Sequence, residues 1–305
     1  MSQSTASLTR KEFLLTVGGV ALLPEVLQAK SASGKLLILV AHPDDEYAFA
    51  GATYRLVREL GWIADQITIT DGESGNRYAA LAEAYYVVTL TKDARVHLPG
   101  IRREEALRAG KVLGIREHHF LDQKDLGFDT KAAAAESTNW DRALIRGFLS
   151  EKLEREKYDL IFTLLPTAET HGHHLAATLL ALETVSRLPL SARPLVFGAE
   201  PRSADARPMN FSGLPEHPLT RTVDAAPDVV FDRRTNFGYR GALNYQIVVN
   251  WVIAEHKSQG MFQNDYGKHS VEDFWLFEAS GATALARLPS IRALLSPTAQ
   301  RAAAG

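Results

Sequence analysis

The chain has 305 residues, 46% of them hydrophobic and 23% charged, which suits one large α/β domain with a buried core. Its formal net charge is -2, with no long run of one sign, so neither a nucleic-acid groove nor a polybasic membrane surface is indicated. There is no cysteine, which excludes disulfides, thiolate metal sites and cysteine nucleophiles and leaves histidines and carboxylates as the available metal ligands.

In chain order, residues 1–33 stand apart. Thr9-Arg10-Lys11 leads into an apolar stretch from Phe13 to Leu27, broken by Gly18-Gly19 and Pro24, and small residues follow at Ser31-Ala32-Ser33. That order is expected of an export signal, with Arg10-Lys11 close to a twin-arginine pattern, and implies a periplasmic or extracellular protein. The other readings are an N-terminal helix packed on the domain, which would leave the protein cytoplasmic, and an uncleaved anchor. The stretch is short and interrupted for a membrane span, so none is expected once a signal is removed.

From Lys35 to Ala41 a continuous apolar run predicts a buried parallel strand. Glu46 to Leu60 predicts a helix, and Gln66–Thr70 a second strand closed by Asp71-Gly72-Glu73. Arg102 to Leu113 predicts a helix stopped by Gly114. A third strand is expected at His119–Leu121, a helix from Asp141 to Lys157, a fourth strand from Tyr158 to Leu165, and a helix from His174 to Val185. Residues 200–240 are rich in Pro, Arg and Asp with little periodicity, and are expected to be an insertion over the active-site face. Within them Asn236-Phe237-Gly238-Tyr239-Arg240 is either an ordinary loop or an aromatic wall. A helix is expected again from Ala242 to His256, and 281–305 as a terminal helix or tail. Strand and helix in alternation predict an α/β fold: a Rossmann-like, mostly parallel sheet over residues 34–280, with helices on both faces. Ligands of such sheets sit beyond the carboxyl ends of the strands.

Two histidine clusters fall at such ends. His42-Pro43-Asp44-Asp45-Glu46 follows the first strand, and His171-Gly172-His173-His174 follows the fourth. Neighbouring Asp44 and Asp45 point differently, so one carboxylate is free to bind a cation while the other acts as a base. A histidine nitrogen plus a carboxylate suits Zn²⁺, which needs a third protein ligand from elsewhere. His171 and His174, three apart, would share a face at a helix start, with His173 pointing elsewhere. One of that pair would ligate and the other would stand beside substrate. Against this stands a plain acidic helix N-terminus favoured by the helix dipole. No Gly-x-Gly-x-x-Gly, Walker or Gly-x-Ser-x-Gly motif is present, which argues against nucleotide binding and a serine hydrolase.

Ala41-His42-Pro43-Asp44-Asp45-Glu46 followed by a His-x-x-His resembles the PIG-L (LmbE-like) family of zinc-dependent N-acetylglucosaminyl deacetylases. Weaker agreement comes from Asp71-Gly72-Glu73, Arg102-Arg103-Glu104-Glu105, Asp125-Leu126-Gly127 and His256-Lys257-Ser258-Gln259. The resemblance spans roughly Lys35 to Phe277. It implies that His42, Asp45 and His174 ligate Zn²⁺, with Fe²⁺ or another divalent ion as a substitute. It also implies that Asp44 is the general base, that His171 stabilises the oxyanion or protonates the leaving amine, and that Arg102 reaches sugar hydroxyls. For Arg102 the plain alternative is a surface salt bridge with Glu105. The implied partner is a small amino-sugar substrate losing its N-acetyl group. The alternatives are a zinc amidase for another sugar conjugate and a non-catalytic sugar-binding relative. Nothing in the pattern sets the oligomeric state.

Overall fold

The computed structural model describes residues 34–125 and 140–296, apart from positions 91 and 93. The expected signal segment, Leu126-Gly127 and the last residues of the tail lie outside them. The apolar run after Gly34 forms β1 (Lys35–Val40), whose residues 36–40 are all buried. Only a strand covered on both faces reads as a continuous hydrophobic run.

Alternate residues of β1 enter different cores. Leu37 and Leu39 pack with α3 (Arg142–Glu156) and α4 (Gly172–Arg187), while Leu36, Ile38 and Val40 pack with α1 (Ala50–Tyr54) and α6 (Leu288–Leu295). Helices therefore cover both faces. A third cluster joins α1 to α2 (Ala94–Leu113) and α5 (Tyr245–Glu255) through Ala109, Leu113, Val249 and Val252. The helix α2 begins well before Arg102 and carries Pro99 in its second turn, where the ring removes one i→i−4 hydrogen bond.

The sheet runs β3 (Glu117–Gln123), β2 (Ile63–Thr70), β1, β4 (Leu160–Leu164), β5 (Leu195–Arg202), β7 (Val271–Leu276), β6 (Val229–Asp232). The first five strands are parallel; β7 is antiparallel to both neighbours. After β1 the chain builds outward through β2 and β3, then returns to place β4 on the other side of β1. The crevice beyond the carboxyl ends of β1 and β4 is therefore the topological switch point, where such sheets bind ligands.

Residues 200–240 are not a layer over the site. They complete β5, supply β6 and form a short pair with Asn236–Gly238 against Leu243–Asn244, and only Glu200 and Pro201 line the cavity described below. Phe237 packs against Tyr54 and Tyr245 and forms no aromatic wall. β7 has no alternating pattern because its charges are buried too. Glu272 pairs with Arg233 at 2.8 Å and accepts the Gly51 N–H at 2.7 Å, and Asp273 pairs with Arg202 at 2.6 Å. Among the described residues no helix is long and apolar enough to cross a membrane.

Candidate metal centre

The loop leaving β1 turns sharply. Asp44 has φ 147°, a backbone region that non-glycine residues adopt at a cost and that persists only where the surroundings impose it. Asp45 closes the loop: its Oδ2 accepts the backbone N–H of His42 at 2.8 Å and of Ala41 at 3.1 Å. Those bonds hold the carboxylate so that Oδ1 lies 3.2 Å from His174 Nε2. The second loop, after β4, ends at His171, which caps α4 by accepting the His173 N–H on Nδ1 at 3.0 Å.

Donor atoms of three residues converge, with the two Asp45 oxygens each facing one of the histidines. His42 Nδ1 is 3.0 Å from His174 Nε2 and 3.6 Å from Asp45 Oδ2. Metal–ligand bonds of about 2.0–2.1 Å in a tetrahedron put donor atoms roughly 3.3 Å apart, so the three spacings fit one small divalent ion. The chemistry fits as well: two ring nitrogens face each other beside a carboxylate, and a shared cation satisfies all three. His42, Asp45 and His174 are thus the residues that could hold the metal. Burial opposes ionisation of Asp45, yet His174 and then His42 hold its carboxyl well below the usual range. Burial likewise works against a charge on His42, but Asp45 and then Asp125 raise its pKa.

Asp44 is turned away from this triangle. Burial pushes its carboxyl up to about 6, with Arg102 pulling the other way and Asp45 adding to the rise. Arg102 is only 3% exposed, and its Nη2 lies 3.1 Å from Asp44 Oδ2. The same guanidinium donates to Pro43 O and Gly72 O, both at 2.8 Å. A Cβ on Gly72 or Gly75 would fall 2.7 Å from Arg102 Nη1, so both positions need glycine for the arginine to thread between the loops. The surface pair with Glu105 does not form; Glu105 instead accepts from Ser258 N at 2.7 Å and Ser258 Oγ at 2.6 Å. The helix bearing Arg102 and the 256–259 turn are thereby clamped together, and Gln259 Nε2 reaches Gly75 O at 3.3 Å. His256 donates to or accepts from Glu46 at 2.5 Å, both buried, behind the loop. The weak sequence matches around Glu105 and His256 are thus the braces of the site.

Arg102→Met is expected to leave Asp44 buried and unpaired, at a cost of about 3–5 kcal/mol in stability. Turnover by metal-loaded protein should fall about 10–100-fold, as for loss of a group that orients the working residues. Denaturant melts and kcat at fixed metal occupancy test this; an unchanged melt would mean that Arg102 does not brace Asp44.

All six residues expected at the site, His42, Asp44, Asp45, Arg102, His171 and His174, line one cavity of about 350 Å³. His173 does not point elsewhere. Its Nδ1 lies 3.1 Å from His42 Nε2, and its ring packs on Trp140 at 5.1 Å. The helical period does not relate it to His171, because His171 precedes the helix with extended φ/ψ of −57° and 134°. Sequence reasoning also missed the cavity's aromatic side, where Tyr47 stacks on Tyr266 at 3.8 Å and Phe262 on Tyr266 at 5.1 Å. No motif marks those residues, since they come together from separate turns.

Glu200, at the end of β5, was missed as well. Burial, then Asp273, raises its carboxyl to about 7. A raised carboxylate pKa means that the folded state holds the proton more tightly. Its stabilising effect is full below 4.5, the ordinary value, and is lost as pH rises toward about 7. Glu200→Gln should therefore be more stable than the parent at about pH 8 and indistinguishable from it below about pH 4.5. Parallel melts across that range check it, and a uniform offset at both ends would refute the burial argument.

A mostly parallel α/β sheet with a His/Asp/His centre at its switch point defines a metal-binding α/β domain. Residues 37–185 match the family model PIG-L, described as GlcNAc-PI de-N-acetylase. The 1D-myo-inositol 2-acetamido-2-deoxy-alpha-D-glucopyranoside deacetylase of Saccharomonospora viridis is 31% identical over 56% of this chain and 65% of its own length. A probable N-acetyl-alpha-D-glucosaminyl L-malate deacetylase 2 of Bacillus cereus is 27% identical over 53% of this chain and 65% of its own length. The chain thus spans less than two thirds of the length of these curated relatives. The structure of N,N'-diacetylchitobiose deacetylase from Pyrococcus horikoshii superposes with a TM-score of 0.51 at 16% identity, covering 90% of this chain and 95% of that one, and shares the fold.

Proposed function

We propose that the protein is a zinc-dependent hydrolase that removes the N-acetyl group from an N-acetylglucosamine-type sugar or glycoconjugate, releasing acetate and a free amine. The observation that carries this is the division of two adjacent carboxylates. Asp45 is bound into the His42/His174 triangle, and Asp44 is held beside it by Arg102. The two relatives compared above are named as deacetylases of glucosaminyl conjugates, which supports the substrate class.

His42, Asp45 and His174 would hold a divalent ion, which would supply Lewis-acid polarisation of the amide carbonyl and acidify the attacking water. Asp44 takes the proton of that water as it attacks, its carboxylate aimed by Arg102. Burial, then His42 and His174, lowers the His171 pKa to about 4, so its imidazole is neutral. Because Nδ1 accepts the His173 N–H, the ring proton sits on Nε2, and that N–H is the group proposed to donate to the developing oxyanion or to the departing nitrogen. The stacked faces of Tyr47, Tyr266 and Phe262 offer an apolar platform for a sugar ring, and Glu200 offers a hydrogen-bonding group for its hydroxyls.

Purified protein loaded with Zn²⁺ is expected to release acetate and free amine in equal amounts from N-acetylglucosamine conjugates, to lose this on chelation and to regain it with added Zn²⁺. Bound metal without acetate across a broad panel would favour the non-catalytic sugar-binding reading. Export through the N-terminal segment is part of the proposal, and N-terminal sequencing of native protein beginning at Met1 would refute cleavage.

A further inference from the structure

Glu200 stands near the end of β5 and lines the cavity, and the fold gives its carboxyl no counterpart. In the sheet register it lies directly opposite Asp273 of β7, so two acidic side chains share one face. The arginine placed to serve both is committed to one. Arg202 Nε and Nη2 point to Asp273 at 2.6 and 3.4 Å, and its Nη1 donates to the carbonyls of Ser203 and Ala206 at 3.2 and 2.7 Å. Burial, then Asp273, opposes a charge on Glu200, and among the described residues no hydrogen bond or cation offsets them. Like charges directly opposite each other destabilise a sheet, so this carboxylate does not serve the fold.

The cavity around it is short of positive charge. Arg102 is the only Lys or Arg among the described residues that line it, and that guanidinium is held by Asp44, Pro43 O and Gly72 O. Lys124 faces Asp71 and Glu73 at 3.6 and 3.7 Å and does not line the cavity. Asp44 has the arginine and Asp45 has two histidines, whereas Glu200 has neither. Its neighbours in the cavity are neutral. Burial and then Glu200 raise the pKa of the Tyr47 phenol, which places that ring within the field of the carboxylate.

We propose that Glu200 sorts substrates by charge: the site takes conjugates that are uncharged and hydroxyl-bearing where they meet this residue, and turns away those that carry a carboxylate or phosphate there. This rests on the deacetylase reading and narrows its substrate class. A substrate hydroxyl donates to the carboxylate, which accepts on either oxygen. An anion meets like charge in a partly enclosed site. Phosphates and carboxylates are bound elsewhere by arginine forks or lysine ammonium groups, and the described lining residues hold no such group that is uncommitted. Discrimination here comes from repulsion of the wrong conjugate as much as from attraction of the right one.

The test uses zinc-loaded protein with two substrates, the methyl and the carboxymethyl glycosides of N-acetylglucosamine. It is run at about pH 8, above the value of about 7 to which burial and Asp273 bring Glu200, so that the carboxylate is charged. The methyl glycoside is expected to have the higher kcat/KM by about 10–100-fold, the scale of a like-charge encounter in a partly solvated site. The difference should lie in KM, because the charge is met on binding. Glu200→Gln should close that gap, raising KM for the methyl glycoside and lowering it for the carboxymethyl one; Glu200→Ala is the second variant if the first does not fold. Equal kcat/KM for the two glycosides in the parent overturns the proposal and leaves the proposed function standing. A gap that persists in both folded variants also overturns it, since the discrimination then belongs to another group. Acetate released from neither glycoside, nor from a wider panel, removes both readings.

Discussion

Asp44→Asn is expected to retain the full complement of metal and to lose turnover by about 10²–10⁴-fold, the usual share of a positioned base. The amide is close to isosteric with the carboxylate and still accepts from the arginine, so the loop should hold its shape, but it takes no proton from water. Metal content by elemental analysis and kcat on the same preparation separate the two properties. Near-normal turnover would move the base elsewhere, and loss of metal would mean that Asp44 is a ligand. The strained φ of 147° argues that the loop is built to present this carboxylate, because an unstrained turn would not require it.

His174→Ala is expected to fail one step earlier. It removes a donor that lies 3.0 Å from His42 Nδ1 and 3.2 Å from Asp45 Oδ1, leaving two protein ligands for an ion that takes three in catalytic sites. Metal affinity should drop by more than the roughly 10–100-fold that follows loss of an outer partner. The stabilisation by added zinc seen in thermal melts should shrink with it, since that stabilisation is the binding free energy. Zinc stoichiometry unchanged from the parent would point to His173, the other histidine within 3.1 Å of the His42 ring. The two variants thus differ in order: one keeps its metal and loses turnover, the other loses its metal.

Much of the fold was legible because parallel strands buried on both faces read as plain apolar runs. Lys35 to Ala41 and Tyr158 to Leu165 are such runs, and the alternation of strand and helix announced the layers. The strands β5, β6 and β7 were not legible. Glu200, Glu272 and Asp273 interrupt them, and these charges are tolerated inside the sheet because Arg233 and Arg202 meet the latter two from elsewhere in the chain. A pairing of that kind has no local signature.

The site divides in the same way. Adjacent carboxylates after a histidine and a proline, with a second histidine cluster at another strand end, identified the donor types, because metal chemistry constrains which residues stand next to one another. Which carboxylate faces the histidines is set by backbone geometry, since the N–H groups of Ala41 and His42 hold Asp45. The arginine beside Asp44 and the histidine behind His42 were settled by packing, as were the stacked Tyr47, Tyr266 and Phe262 and the placement of Glu200. By itself the sequence determined the metal-binding loop, the helix carrying Arg102 and the sheet that brings two distant loops together. Tertiary structure alone decided what each side chain faces, because orientation depends on partners about a hundred residues away that no spacing records.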